Sequence, residues 1–443
     1  MHLAHVFIGR FDLAVPLSTV LVAAMAVVAA SFGLIYLLPP RRATPDRTGP
    51  RVPRAIVMGL QTVAVLFVLF LVMVGVFGSQ VTVLNGAVIA FWVLLIPLLP
   101  LAHIVVGGVY EVANPFALGA RLVTSGESAR RARDPRLDRL GYWPAVVMLF
   151  TLVWFELALR IVPESPRALG ILAAAYALFQ VGMGAWLGEG WYRGGDVFQA
   201  ITTLASTVAS IGIGRDQDGF VRLKFGFRPA RFLPTGRGRE TLVTLWLAGV
   251  LADGVRATPI WRAVTSATAD FSGSIGQVGS LNLGDFLLDT SEILFTWLAF
   301  MAFFWLFAYL VSRLVRRPLG EIAKVVAPSL VPIALAYLFA HNLTQILVIG
   351  PLIWSAAGAD VATATFQLQR NAQALSPALI FFIQVSAIVL GHVIAVVVAH
   401  ARLRDSKAGE ELAIRADLGW LSAMLIYTAT SLWVLAQPIT NQG

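Results

Sequence analysis

The chain has 443 residues, 58 % of them hydrophobic and only 13 % charged, with a mean hydropathy of +0.78. Soluble domains carry about 25 % charged residues, so this chain lacks the polar material to clothe a water-facing surface. A soluble enzyme, a nucleic-acid-binding module and a disordered scaffold are excluded. The net charge of +9 sits in short arginine-rich loops between apolar blocks, a mark of membrane topology rather than of a nucleic-acid partner. The absence of cysteine removes disulfides, thiolate metal ligands and thiol nucleophiles.

Apolar blocks long enough to cross about 30 Å of hydrocarbon recur along the chain. They predict ten spans, at 16–38, 55–78, 85–107, 141–163, 167–188, 240–260, 288–312, 328–350, 376–400 and 418–436. The fold class is therefore all-α, a polytopic transmembrane helix bundle forming a single integral membrane domain over 1–443. Basic clusters follow spans 1, 3, 5, 7 and 9, among them Arg41 to Arg54, Arg121 to Arg139 and Arg215 to Arg239. Placing all of them in the cytoplasm puts both termini outside. The Ala- and Arg-rich usage fits a GC-rich bacterial genome, and hence the bacterial cytoplasmic (inner) membrane. The first apolar run exceeds a signal-peptide core and is followed, not preceded, by basic residues, so it reads as an uncleaved anchor.

Two basic cytoplasmic loops, 117–140 and 214–240, are expected to lie against anionic membrane lipid. Residues 195–213 are apolar enough to compete for an eleventh span. Their apolar side chains (Val197, Phe198, Ile201, Leu204, Val208, Ile211) share one face, and Gln199, Thr202, Ser206 and Ser210 fall on the other. That pattern predicts an interfacial amphipathic helix on the inner surface.

Ionisable groups inside apolar blocks cost ~2.5–3.5 kcal/mol each at a helix centre, so they mark sites or buried pairs. Span 4 carries Glu156, with Arg160 one turn on; span 6 carries Asp253, with Arg256 three residues later. Either pair also reads as a local ion pair. In span 7, Asp285, Asp289 and Glu292 share a helix face; the dipole accounts for the first two, whereas Glu292 lies deeper. Span 8 holds His341, Asn342 and Gln345, which must face protein or a wet cavity rather than lipid. Glu156, Asp253, Glu292 and His341 all fall in the outer half, and this shared depth makes them the candidate catalytic set. His341, Glu292 and His5, on the outer N-terminal segment, are the candidate ligands should a divalent metal be the cofactor. His392 and His400 of span 9 stand eight residues apart, too far along a helix to share one ion; His392 reads as a core contact, His400 as solvated. His103 is isolated among apolar neighbours. No HExxH, P-loop or GxSxG motif is present.

Several stretches resemble, in order, a family of bacterial integral membrane fenitrothion hydrolases: AHVFIGRFDLAVPL, VYEVANPF at 109–116, LGYWPAVV and WFELAL within 140–159, LADGVRATPIW at 251–261, VPIALAYLFAH at 331–341 and GHVIAVVVAHARL at 391–403. The resemblance implies a membrane-bound hydrolase that cleaves the aryl ester of an apolar organophosphorus triester, working as one of two related membrane subunits in a heterodimer. Activated water would come from a general base or a metal, using His341, Glu156, Asp253 or Glu292, with Arg160 or Arg256 supplying positive charge. The alternative from composition alone is a polytopic transporter or a non-catalytic subunit of a membrane complex, to which buried polar residues and Pro97, Pro100, Pro328 and Pro332 are equally suited.

Overall fold

The computed structural model describes residues 11–12, 16–37, 47–127, 134–159, 165–216, 218–226, 236–278, 281–354, 356, 358–405, 410–437 and 440–441. Among them, eight helices are long and apolar enough to cross a membrane. These are α1 (Leu17–Leu37), α2 (Arg54–Phe77), α3 (Gly86–Val105), α6 (Pro166–Leu187), α9 (Leu283–Val315), α10 (Leu319–Val348), α11 (Pro377–Asp405) and α12 (Glu410–Ala436). The other two expected spans are helical as well. One is α5 (Trp143–Leu159), a shorter apolar helix; the other is α8 (Arg239–Arg256), which carries Arg239, Glu240, Asp253 and Arg256.

Burial explains how α8 carries these charges. Every residue from Leu242 to Ala248 is buried, so the helix is surrounded by protein rather than by lipid. Helix α10 is buried in the same way, with Leu330–Leu335 covered on all sides. These two helices form the core, packed against α9, α11 and α5. By contrast α2 and α6 form a peripheral pair. They approach closely at Gly75 and Gly170, where a Cβ on Gly75 would stand 2.8 Å from the Gly170 Cα. Their remaining faces expose Val63, Leu66, Ile171 and Leu178, as lipid-facing helices do.

Strand pairing sorts the connections into two ends. The strands β2 (Arg47–Arg51), β5 (Val221–Phe225), β4 (Ile211–Arg215) and β3 (Val106–Gly107) form one small sheet in the order β2-β5-β4-β3. Three arginine-rich connections are thereby tied together at one end of the bundle. At the opposite end β1 (Phe11–Asp12) pairs in parallel with β6 (Thr440–Asn441), so the two terminal segments meet there.

The expected interfacial helix over 195–213 needs correcting. The helix α7 covers Val197–Val208 only, and Ile211–Arg215 is a strand. Both faces of α7 are covered: Gln199 and Thr202 are buried along with Val197, Ile201 and Leu204. The segment enters the bundle from the basic end and returns to it. Residues 106–123 do the same, rising to Asn114 and descending through α4 (Pro115–Val123). The expected loop at 117–140 thus begins as a helix, and the one at 214–240 begins with the β4–β5 hairpin.

Candidate functional site

Glu156, Asp253 and His341 come from three helices, α5, α8 and α10, and line one cavity of about 80 Å³ in the half of the bundle away from the basic end. Asn342 and Thr202 complete its polar lining, and Leu99, Trp246 and Leu338 contribute to its apolar walls. At roughly 10–15 Å³ per water, the space suits a small water cluster. Sites for drug-sized molecules run from about 300 Å³ upward, so an organic triester does not fit inside it.

Local sequence positions each group. Glu156 lies in a π-helical stretch, Phe155–Leu159, that ends α5. The widened turn sends adjacent side chains to different compartments, and π-helical turns recur at functional sites. Helix α3 carries a second such stretch, Ala90–Leu98, containing Pro97, whose missing N–H disrupts the regular ladder. Leu95 and Ile96 of this stretch face the cavity. The His341 ring lies nearly parallel to that of Tyr337, with centroids 6.2 Å apart, and Asn342 donates to the Leu338 carbonyl at 2.9 Å. Asp253 and Arg256 both act electrostatically on Glu156, which places the three groups near one another.

Glu292 is not in the cavity lining. It is fully buried and accepts from Arg256 Nε at 2.6 Å, while Arg256 Nη2 lies 3.3 Å from Asp289 and donates to the Leu157 carbonyl at 2.9 Å. Arg256 is therefore committed to two carboxylates and a carbonyl. The predicted set divides into a cavity trio, Glu156, Asp253 and His341, and an ion-pair network holding Glu292. Asp285 stands exposed at the start of α9, where Asn282 caps the helix. Arg160, proposed as the partner of Glu156, lies outside the described residues, as does the metal candidate His5. Among the described residues no three His, Asp or Glu side chains gather closely enough to hold a metal ion.

The remaining histidines are internal contacts. His400 is buried rather than solvated, with its Nδ1 2.7 Å from Asp417. His392 donates from Nδ1 to the Ile388 carbonyl of its own helix. His103 donates to the Leu99 carbonyl and accepts from the Tyr110 N–H. Gln345 bonds the Trp92 carbonyl and holds α10 to α3.

A second polar cluster escaped the sequence reading. Asp196, fully buried, caps α7 by accepting from the Phe198 N–H at 3.0 Å, and also accepts from Tyr176 at 2.7 Å, Asn114 at 2.9 Å and Tyr110. Asn114 in turn caps α4 and donates to Gln199 at 2.8 Å. Two helix starts thus face each other inside the bundle. The available signal was a pair of capping residues, Asn114 before Pro115 and Asp196 before Val197, each opening a short apolar helix.

Beside the cavity lies a groove of about 720 Å³ between α2, α3, α5 and α6, with the exposed side chains Val63, Leu94 and Phe179 among its lining. Leu95, Leu99, Leu152 and Phe198 line both spaces. No protein family, curated protein or solved structure matches this chain.

Proposed function

We propose that the protein is a membrane-embedded hydrolase in which water held in the cavity attacks an apolar ester, the organophosphorus triester implied by the family resemblance. The observation that carries this reading is the convergence of Glu156, Asp253 and His341 on one small cavity large enough for water. His341 is assigned as the base. It takes a proton from the attacking water as the new O–P bond forms, and the bond to the aryl oxygen breaks with its electron pair leaving on the aryloxide. Glu156 and Asp253 orient the water and stabilise the imidazolium. In this reading α5 and α8 cross the membrane with the eight apolar helices, ten crossings in all. The basic end faces the bacterial cytoplasm, both termini face outside, and a related membrane subunit is the partner.

The test is nitrophenol release from a nitroaryl phosphorothioate by the purified protein, alone and with the related subunit. Histidine to alanine at the base should lower the rate about 10²–10⁴-fold. The expected result is that His341→Ala loses activity while its Tm stays near the parent, and Asp285→Asn at the exposed helix start changes neither. Full activity in His341→Ala ends the proposal. Chelation that abolishes activity, with recovery on one divalent cation, would assign the activation of water to a metal instead. Orientation is tested in whole cells with an impermeant thiol reagent on this cysteine-free background. A cysteine replacing Ser274 should label and one replacing Gly236 should not.

One observation favours a transporter as the second reading: two segments that enter the bundle from the same end and meet at their helix starts, an arrangement used by translocation paths. Substrate uptake into proteoliposomes without nitrophenol release would select it.

A further inference from the structure

The cavity is too small for the molecule it is proposed to act on, and the groove beside it is not. The groove, at about 720 Å³, falls within the range of roughly 300–1,000 Å³ that encloses a small organic ligand. Among the described residues no charged one lines it. Its few polar side chains are already engaged: Tyr176 and Tyr110 donate to Asp196, Thr151 to the Val147 carbonyl, and both ring nitrogens of His103 are bonded. A charged group placed there would lose its hydration and gain no partner, a cost of several kcal/mol, so the groove selects for uncharged apolar molecules.

Continuity gives the groove its direction. Phe155 lines the groove while its neighbour Glu156 lines the cavity, so the π-helical stretch of α5 borders both spaces. Three of the four side chains common to both spaces are leucines, two on α3 and one on α5. The fourth is Phe198, on the first turn of the short α7, half-buried and set edge-on against Tyr176 with ring centroids 5.7 Å apart. Its N–H is held by Asp196, so the backbone is anchored and the ring is the part that can turn.

We propose that the groove is the lateral entrance through which an uncharged ester passes from the bilayer to the water-holding cavity, with the Phe198 ring as the movable part of the shared wall. This rests on the hydrolase reading and names its substrate class: apolar, uncharged and dissolved in the membrane. An anionic diester is excluded.

The experiment separates binding from turnover, using the full chain in nanodiscs. Binding of an uncharged nitroaryl phosphorothioate triester and of its anionic diester is measured together with nitrophenol release. The parent should bind the triester and not the diester. Ala173→Trp and Ala64→Phe, which fill the groove from α6 and α2, should each weaken triester binding at least tenfold. His341→Ala should bind like the parent and not turn over. Phe198→Ala should raise kcat/KM for bulkier triesters. Parental binding in both groove-filling variants would overturn the entrance, even with hydrolysis intact. Triester binding that those variants abolish, without hydrolysis by any form, would sink the hydrolase reading and leave an apolar binding groove. Tightly held lipid that the triester does not displace, or oligomers that dissociate in Ala173→Trp, would assign the groove to an acyl chain or to another protein chain and likewise overturn the entrance.

Discussion

Two polar clusters lie inside this bundle, and they are built on opposite plans. Around Asp196, each carboxylate oxygen accepts hydrogen bonds, from Tyr176 and the Phe198 N–H on one side and from Asn114 on the other. Neighbouring groups extend the web: Trp191 donates to Gln180, Gln180 to the Gly195 carbonyl, and Tyr192 to the Phe116 carbonyl. This cluster closes on itself and ties the two returning segments together. Around Glu156, Asp253 and His341 the side chains instead border open space. Burial of an ionisable group inside a membrane protein is therefore not by itself a functional sign. What distinguishes the two clusters is that one is filled by protein donors, whereas the other borders a cavity that a small molecule can occupy.

The largest expected effect follows from that distinction. Asp196→Ala removes a carboxylate and strands Asn114, Tyr176 and Tyr110 without their acceptor. Leaving a buried neutral donor without its acceptor costs about 1–3 kcal/mol, and several donors lose theirs here. Reversible unfolding in detergent should show a loss of at least that size, and Asp196→Asn should recover part of it by keeping one acceptor. A parental midpoint in Asp196→Ala would break the comparison and move the cluster into the class of open sites.

Arg256 tests the region between the two plans. Its guanidinium touches Glu292 and Asp289 and donates to Leu157, but it does not line the cavity. Arg256→Gln leaves Glu292 buried without its cation and should cost roughly 2–4 kcal/mol, somewhat below the fully buried case because the arginine is 20 % exposed. The double variant Arg256→Gln, Glu292→Gln should recover at least half of that loss, since no charge is then stranded. Full additivity of the two single effects would show that the pair does not act as a unit.

Much of this architecture is legible in the sequence, because lipid imposes one rule on every lipid-facing helix. Hydropathy alone finds the eight long apolar helices, and α5 and α8 are helical where spans were expected. Depth along the helix also brings Glu156, Asp253 and His341 to a common level, and the structure adds that they share one cavity. What periodicity does not reveal is the partner of a polar face. Gln199, Thr202 and Ser206 fall on one side of α7 whether that side meets water or protein. Here Gln199 meets Asn114, 85 residues earlier, and Ser206 accepts from the Gly108 N–H. His400 escaped for the same reason, its partner Asp417 lying on the next helix. The commitment of Glu292 to Arg256 likewise depends on how α8 and α9 pack.

Asp253→Asn has the smallest expected effect on stability, and it sharpens the comparison most. The change keeps the side chain's shape and removes its charge. Two contributions then oppose each other: attraction to Arg256, three residues along α8, is lost, while repulsion from Glu156 and Glu292, on which Asp253 acts electrostatically, is relieved. Because Asp253 is only partly buried, neither contribution is amplified by full burial. The net change should stay below about 1 kcal/mol, because the two contributions are opposite in sign. Nitrophenol release should nevertheless fall about 10–100-fold, the loss expected when an orienting group is removed and the base remains. Paired measurements of the unfolding midpoint and of kcat at saturating triester decide the matter. A stable, inactive Asp253→Asn beside an unstable Asp196→Ala would establish that the two clusters do different work. If Asp253→Asn unfolds as readily as Asp196→Ala, the cavity is a structural network as well, and the assignment of His341 loses its main support.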